Sequence, residues 1–146
     1  MSLTGVWMNE LNSVMVLYEQ QDKCLTGKYR SMVGRDPNVR DLSGRTSAVA
    51  GGKQMAAFAV CFEIAAPDPG YGHFSVCAWS GWSKNDDAGN FIIDAQWLLS
   101  VSVLDKEGEW ASTKIGKSTF RKVSGIPDET LLTNDEALKK LHKSFA

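Results

Sequence analysis

Polar and aromatic residues recur two positions apart in segments of this sequence that have the composition of β-strands. These residues are Asn9, Leu11 and Ser13 in one segment, Tyr29 and Ser31 in a second, and Ser75, Cys77 and Trp79 in a third. Successive side chains of a β-strand point to opposite faces, so residues two apart share a face. A simple sandwich core would place Val, Ile and Leu on that face, whereas here it combines hydrogen-bonding groups with a tryptophan. The pattern is typical of a barrel that encloses a small polar ligand.

The segments that must position these residues are short extended runs rich in β-branched and aromatic residues. The predicted strands are residues 6–11, 14–19, 24–32, 39–45, 55–64, 74–82, 91–103 and 110–122. Turn-forming sequences separate several of them, at 34–38, 51–52, 65–70, 84–89 and 106–108. Because no helical pattern intervenes and the connections are short, we expect an all-β fold. The specific prediction is an eight-stranded antiparallel up-and-down β-barrel, which leaves no exposed sheet edge.

The end of the chain has a different pattern. A Gly-Ile-Pro sequence at 125–127 ends the last strand, and Thr133 and Glu136 have the spacing of a capping box. Apolar residues follow at helical spacing through Leu141, with lysines toward the end, where cations suit the helix dipole. These signals predict a short helix at 134–143.

Composition and charge exclude several classes of function. The chain of 146 residues has the size of one domain, and we expect a barrel domain at 3–123 and a C-terminal extension at 124–146. A net charge of −1, with both signs interspersed, argues against nucleic acid or an anionic membrane as a partner. No apolar stretch approaches the roughly 20 residues of a membrane-spanning helix. The start of the chain has no signal-peptide pattern, so the localisation stays open: secreted if such a peptide was removed, and otherwise cytoplasmic.

The cysteines and histidines form no recognisable metal or disulfide pattern. The spacing of Cys24, Cys61 and Cys77 matches no metal-ligand motif, and the two histidines, His73 and His142, are isolated. If Cys61 and Cys77 lie on opposite faces of the barrel wall, as strand parity suggests, they cannot form a disulfide. We therefore expect three free thiols.

Five motifs carry a resemblance to a known family. They are Gly-Val-Trp-Met-Asn-Glu-Leu-Asn-Ser at 5–13, Leu-Thr-Gly-Lys-Tyr at 25–29, Trp-Ser-Gly-Trp at 79–82, Gln-Trp-Leu-Leu at 96–99 and Trp-Ala-Ser-Thr at 110–113. In this order and at this spacing they closely resemble the avidin family of biotin-binding proteins, which includes avidin and streptavidin. The resemblance implies non-covalent binding and sequestration of biotin as a ligand, with no cofactor and no catalysis. It also implies a homo-oligomer, most simply a tetramer.

The resemblance further implies a role for each polar pocket residue. In the family the ureido oxygen of biotin accepts three hydrogen bonds, which fall here on Asn9, Ser13 and Tyr29. Preorganised donors of this kind are worth most in a dry pocket. One ureido N–H would donate to Ser31, and the other to Ser118, where the best-known members have Asp or Asn.

The remaining implied contacts surround the rest of the ligand. The apolar walls would be formed by Leu11, Val33, Phe62, Trp79, Trp97 and Leu99, with Phe62 at a position where Trp is common in the family. Cys77 stands where the family has a Thr near the biotin sulfur. At the open end, Ser75 and backbone N–H groups of the loop containing Gly34 would hold the valerate carboxylate. Arg35 in that loop either pairs with the carboxylate or is a solvated charge.

Two more residues bear on assembly. In the family, the residue that Trp110 matches crosses into the pocket of a neighbouring subunit and closes it, which favours a tetramer. Parity places Lys117 on the outer face, near a family interface, where it could meet its own copy across a two-fold axis.

Three alternatives stay open at this point. A lipocalin-like carrier of an apolar ligand also has eight strands and an N-terminal Gly-x-Trp, but it gives no reason for polar residues to converge in the lumen. An enzyme would need a motif that the sequence lacks, since neither a Gly-x-Ser-x-Gly elbow nor a metal motif accompanies His73. The third alternative is an avidin-like barrel with weakened or lost biotin binding, which Ser118, Phe62 and Cys77 keep open.

Overall fold

A closed antiparallel β-barrel forms the body of the protein. The computed structural model describes residues 2–34, 36–63, 74–102 and 113–145. Each strand pairs with its neighbours in sequence, and the first pairs with the last, which closes the barrel. The strands are β1 Gly5–Asn9, β2 Val14–Glu19, β3 Cys24–Arg30, β4 Arg40–Ala50, β5 Lys53–Glu63, β6 Phe74–Asn85, β7 Phe91–Val101 and β8 Thr113–Ser124. The predicted all-β, eight-stranded up-and-down barrel is confirmed.

The strand ends differ from the predicted ones where turn geometry or pairing decides them. β1 ends at Asn9, two residues early, because Asn12 adopts a left-handed conformation with φ of 65° and turns the chain toward β2. β4 and β5 extend further than predicted and meet at a tight turn in which Gly51 and Gly52 both have positive φ. The predicted strand ends at 64, 103 and 110, and the turns at 65–70 and 106–108, lie outside the described residues.

Large side chains fill one end of the barrel interior. Trp7 and Phe120 are fully buried there, and the Trp7 indole N–H donates to the Leu3 carbonyl at 2.9 Å. The Lys122 ammonium lies over the Trp7 and Phe91 rings, at 5.8 and 5.7 Å from their centroids. These side chains occupy the described interior at this end of the barrel.

The alternation of inward and outward residues follows the strand period. Along β5, Gln54, Ala56 and Phe58 are buried, while the residues between them are exposed or partly exposed. The same alternation leaves Cys61 exposed and Cys77 buried, on opposite faces of the wall, and both thiols are free. The predicted parity of these two cysteines is therefore confirmed.

A short helical region follows the barrel. It consists of a 3₁₀ helix, Glu129–Leu132, and the α-helix α1, Asp135–Ser144. The predicted capping box is wrong by one residue, because Asn134 caps α1 by accepting the Ala137 N–H at 3.1 Å. Thr133 instead ends the 3₁₀ helix through its own backbone N–H. No helix among the described residues has the length and apolar character needed to span a membrane.

The helical region covers the outer face of the first strands. Leu132 and Leu138 are buried against the outward side chains of β1 and β2. These outward residues are Val6, Met8, Val14 and Val16. The contact explains why β1 and the start of β2 are buried on both faces. The division into a barrel domain at 3–123 and an extension at 124–146 stays a prediction.

Candidate functional site

A cavity of about 350 Å³ lies at the end of the barrel opposite the packed end. Its volume falls in the range of small-molecule sites, roughly 300–1,000 Å³. The polar lining residues include Asn9, Ser13, Tyr29, Ser31, Ser75, Cys77 and Ser118, and the apolar ones include Leu11, Val33, Phe62, Trp79, Trp97 and Leu99, with Gly34 between them. The structure thus brings together every predicted ligand contact except Arg35, which lies outside the described residues. The roles of these residues toward a ligand stay predictions.

Asn9 is held by the turn that follows β1. Its Oδ1 accepts the backbone N–H groups of Leu11 and Ser13, both at 3.0 Å, and the side chain is buried. Both lone pairs of the amide oxygen are therefore used by the protein. The group left to interact with a ligand is the amide NH₂, which is a hydrogen-bond donor.

Ser13 and Tyr29 add two further donors beside Asn9. The Ser13 hydroxyl oxygen accepts the Met32 N–H at 2.9 Å, so the hydroxyl acts as a donor on the cavity side, where the Tyr29 oxygen lies within hydrogen-bond reach. Burial raises the pKa of Tyr29 to about 12, although hydrogen bonding with the Ser13 and Asn9 side chains acts in the opposite direction. The Tyr29 phenol therefore stays protonated well above neutral pH. Three donors converge at the same place in the cavity.

Ser31 offers a ligand a hydrogen-bond acceptor instead of a donor. Its hydroxyl donates to the Val33 carbonyl at 2.6 Å and its oxygen accepts the Val33 N–H at 3.2 Å. Because the hydroxyl proton is engaged, Ser31 can serve a ligand only as an acceptor. Ser118, by contrast, is a buried neutral hydroxyl on β8, opposite Ala95 of β7. The Ser118 hydroxyl can therefore either donate or accept a hydrogen bond.

Aromatic rings form the other side of the cavity. Trp79 is buried, with its ring centroid 5.1 Å from that of Tyr29 and 5.3 Å from that of Phe58. Phe62 meets Tyr29 edge-on at 5.9 Å. Such clusters are rigid apolar surfaces that exclude water. They suit a flat or bicyclic apolar group.

The place of Trp97 depends on a glycine in the neighbouring strand. A Cβ at Gly116, its partner on β8, would lie 2.3 Å from the Trp97 Cζ2 atom. Any larger residue at 116 would displace the indole from the cavity wall. The sequence analysis did not identify Gly116 as a site residue.

Two predicted wall residues lie at the rim. Leu11 is 52% exposed and Val33 is 49% exposed. The sequence places Leu11 at the end of the first predicted strand and Val33 just after the third, but β1 ends at Asn9 and β3 at Arg30. Their contact with a ligand stays a prediction. Both side chains border the opening of the cavity from turns.

Asp36 and Val101 are lining residues that the sequence analysis missed. Asp36 is buried and accepts hydrogen bonds from the Arg40 guanidinium, at 2.7 and 3.1 Å, and from the Glu63 N–H at 2.9 Å. Burial acts to raise the pKa of Asp36, but the hydrogen bonds from Arg40 and from the backbone hold it below its usual value. The carboxylate thus ties the β3–β4 loop to β4 and β5. In the sequence, the only signal for this anchor was an Arg four residues after the Asp.

The sequence predictions also concern three further residues, and the structure describes one of them. Lys117 is exposed on the outer face, as parity predicted. Trp110 and His73 lie outside the described residues. Within the described residues, no group of three or more His, Cys, Asp or Glu side chains is placed to hold a metal ion.

A closed eight-stranded barrel with a cavity at one end defines the up-and-down barrel class, a fold that in small-ligand carriers holds the ligand inside the barrel. The sequence places it within that class: the model of the avidin family matches residues 1–123, and the chain belongs to this family. It is 26% identical to avidin-related protein 4/5 of Gallus gallus over 130 residues, which cover 87% of this chain and 81% of that protein. Its structure is similar to the crystal structure of xenavidin, with a TM-score of 0.68 and 25% identity, covering 84% of this chain and 98% of the other. The resemblance recognised from the five motifs is confirmed.

Proposed function

We propose that this protein binds biotin non-covalently in the cavity and sequesters it without altering it chemically. The observation that carries the proposal is the convergence of the Asn9 amide NH₂, the Ser13 hydroxyl and the Tyr29 phenol. In Asn9 and Ser13 the acceptor side is already occupied by backbone N–H groups. Three fixed donors suit one strongly polarised carbonyl oxygen, such as that of a cyclic urea.

The rest of the cavity complements the remainder of biotin. Ser31, restricted to accepting, would take one ureido N–H, and Ser118 the other. The rings of Trp79, Trp97 and Phe62 would pack on the fused bicycle, with Leu99 beside them and Cys77 near the sulfur. Ser75, the loop at Gly34 and Arg35 would hold the carboxylate at the rim. We propose no cofactor and no catalytic step, because ligand recognition alone accounts for this set of groups.

We further propose that the protein forms a homo-oligomer, most simply a tetramer. The outer face of β4–β8 holds a broad concavity of about 960 Å³ between small side chains, and Leu98 and Ile115 on it are 46% and 78% exposed. Exposed apolar side chains in a concave surface are typical of an interaction site. A second copy of the chain would cover it, and Trp110 of a neighbour would then close each cavity. Arg45 and Lys117, which also line the concavity, would have to be accommodated at the contact.

A calorimetric titration with biotin, followed by chase of labelled biotin with an excess of unlabelled biotin, tests the proposal. We expect a sharp endpoint near one biotin per chain and slow release. A fatty acid serves as the competitor that distinguishes a carrier of apolar ligands. Displacement of label by the fatty acid, or the absence of heat and retained label, would refute biotin as the ligand.

A further inference from the structure

The C-terminal segment, residues 125–145, lies beyond the part of the chain that the family model matches. Leu132 is completely buried and Leu138 is 3% exposed, both against the outward side chains of β1 and β2. The Tyr18 hydroxyl of β2 also donates to Glu129 at 2.6 Å. The segment is therefore fixed along the outer wall of the barrel.

One end of α1 reaches the turn that holds the ligand donors. The His142 Nε2 lies 2.9 Å from the carbonyl oxygen of Asn12, so this ring nitrogen carries the hydrogen and donates it. Asn12 has φ of 65°, and its own N–H donates to the Asn9 carbonyl at 3.0 Å. The hydrogen bond from His142 therefore restrains Asn12, the residue with positive φ in the turn between Asn9 and Ser13.

A second contact reaches the strand that carries Tyr29. Arg30, the last residue of β3, donates through Nη1 to the Leu132 carbonyl at 2.8 Å and pairs with Asp135 at 3.0 Å. Its guanidinium side chain is only 19% exposed. Because Arg30 lies between Tyr29 and Ser31 in sequence, the C-terminal segment also restrains the backbone that presents these two groups.

From these contacts we infer that the C-terminal segment is a positioning element for the ligand site, and that His142 and Arg30 are positioning residues that act through the donor-bearing turns. This inference rests on the proposed function for its effect on biotin, but not for its effect on the turn. A turn held in its binding conformation before the ligand arrives loses less conformational freedom on binding. Loss of this restraint therefore weakens binding without removing any group that contacts the ligand.

The test is the variant His142→Ala in the full chain, compared with Lys143→Ala, an exposed neighbour on the same helix. One hydrogen bond of typical strength corresponds to about a two- to tenfold change in rate or affinity. We expect labelled biotin to leave His142→Ala about two- to tenfold faster, while Lys143→Ala behaves as wild type. His142→Gln, whose amide can donate to the same carbonyl, should restore slow release.

Amide hydrogen exchange in the ligand-free protein separates this inference from the proposed function. In His142→Ala we expect faster exchange confined to residues 9–13, with the midpoint of thermal unfolding lowered by no more than about 2–4 °C. If wild-type protein binds no biotin, the proposed function fails, and the exchange result alone decides the role of His142. Equal exchange in wild type and His142→Ala, or equal biotin release where biotin binds, would overturn the inference. The variant Arg30→Gln provides an independent check, with faster exchange expected at residues 31–34.

Discussion

The two sides of the barrel differ on both their inner and their outer faces. β1–β3 and the turns that follow them present the polar groups Asn9, Ser13 and Tyr29 to the cavity, and the C-terminal segment covers their outer face. β5–β8 present the rings of Phe62, Trp79 and Trp97 among smaller side chains, and their outer face leaves Leu98 and Ile115 exposed. Hydrogen bonds weaken steeply with misalignment, whereas dispersion and hydrophobic contacts are not directional. The half of the site that depends on directional hydrogen bonds is therefore supported from within the chain, whereas the outer face behind the other half is left exposed in the described part of the chain.

The largest effect is expected from disrupting the covered side. Leu132→Ala should lower the free energy of unfolding by about 2–5 kcal/mol, because it leaves a cavity between the C-terminal segment and the barrel. Ile126→Ala, in the same segment but at a residue that is 75% exposed, is the matched control and should change stability by less than about 0.5 kcal/mol. Urea unfolding measures both. If Leu132→Ala lowers the free energy of unfolding as little as Ile126→Ala does, the burial of Leu132 contributes no packing energy.

The next effect concerns the polar groups that this side presents. Tyr29→Phe removes a donor from a buried cluster and should raise the Kd for biotin about 10- to 100-fold, which corresponds to about 1.5–3 kcal/mol. Thr26→Val, which removes an exposed hydroxyl from the outer face of the same strand, should leave the Kd unchanged. Calorimetry with competition measures both. If both variants bind as wild type does, Tyr29 is not a ligand donor.

A third variant addresses the uncovered side. Ile115→Glu places a charge in the outer concavity and should raise the dissociation constant of the oligomer about tenfold or more, since desolvating a charge at a contact is unfavourable. Val49→Glu changes another exposed apolar residue that does not line the concavity and should leave assembly intact. Light scattering after gel filtration gives the mass of each species. A wild-type protein that is already a monomer, or an unaffected Ile115→Glu oligomer, would argue against a second copy on this face.

The smallest effect is expected from introducing a charged acceptor on β8, on the side of the cavity that carries the tryptophans. Ser118→Asp would replace a neutral hydroxyl with a carboxylate acceptor for a ureido N–H, worth about 1 kcal/mol more. Release of labelled biotin should then slow about fivefold. Ser102→Asp, at the end of β7 and outside the cavity lining, is the control. Unchanged or faster release would contradict the assignment of Ser118 to that contact.

Local patterns were enough to predict most of the barrel and most of the site. Tyr29 and Ser31, and likewise Ser75, Cys77 and Trp79, face the cavity because the two-residue period of a strand is a local property. The turn-forming sequences at 34–38, 51–52 and 84–89 and the apolar spacing around Leu138 similarly located strand breaks and a helix to within a few residues. The exposure of Leu11 and Val33 does not follow from the strand pattern, because it depends on where the turns begin.

The sequence by itself determined which faces of the strands are polar, aromatic or apolar, and through its motifs the family to which the chain belongs. Only the tertiary structure decided that Asp36 lines the cavity, that Gly116 makes room for Trp97, and that a C-terminal helix covers the first strands. The contact of His142 with Asn12 joins residues 130 positions apart. Pairings at such separations leave no periodic trace in the sequence, because they are set by closure of the barrel and by the path of the chain across its surface.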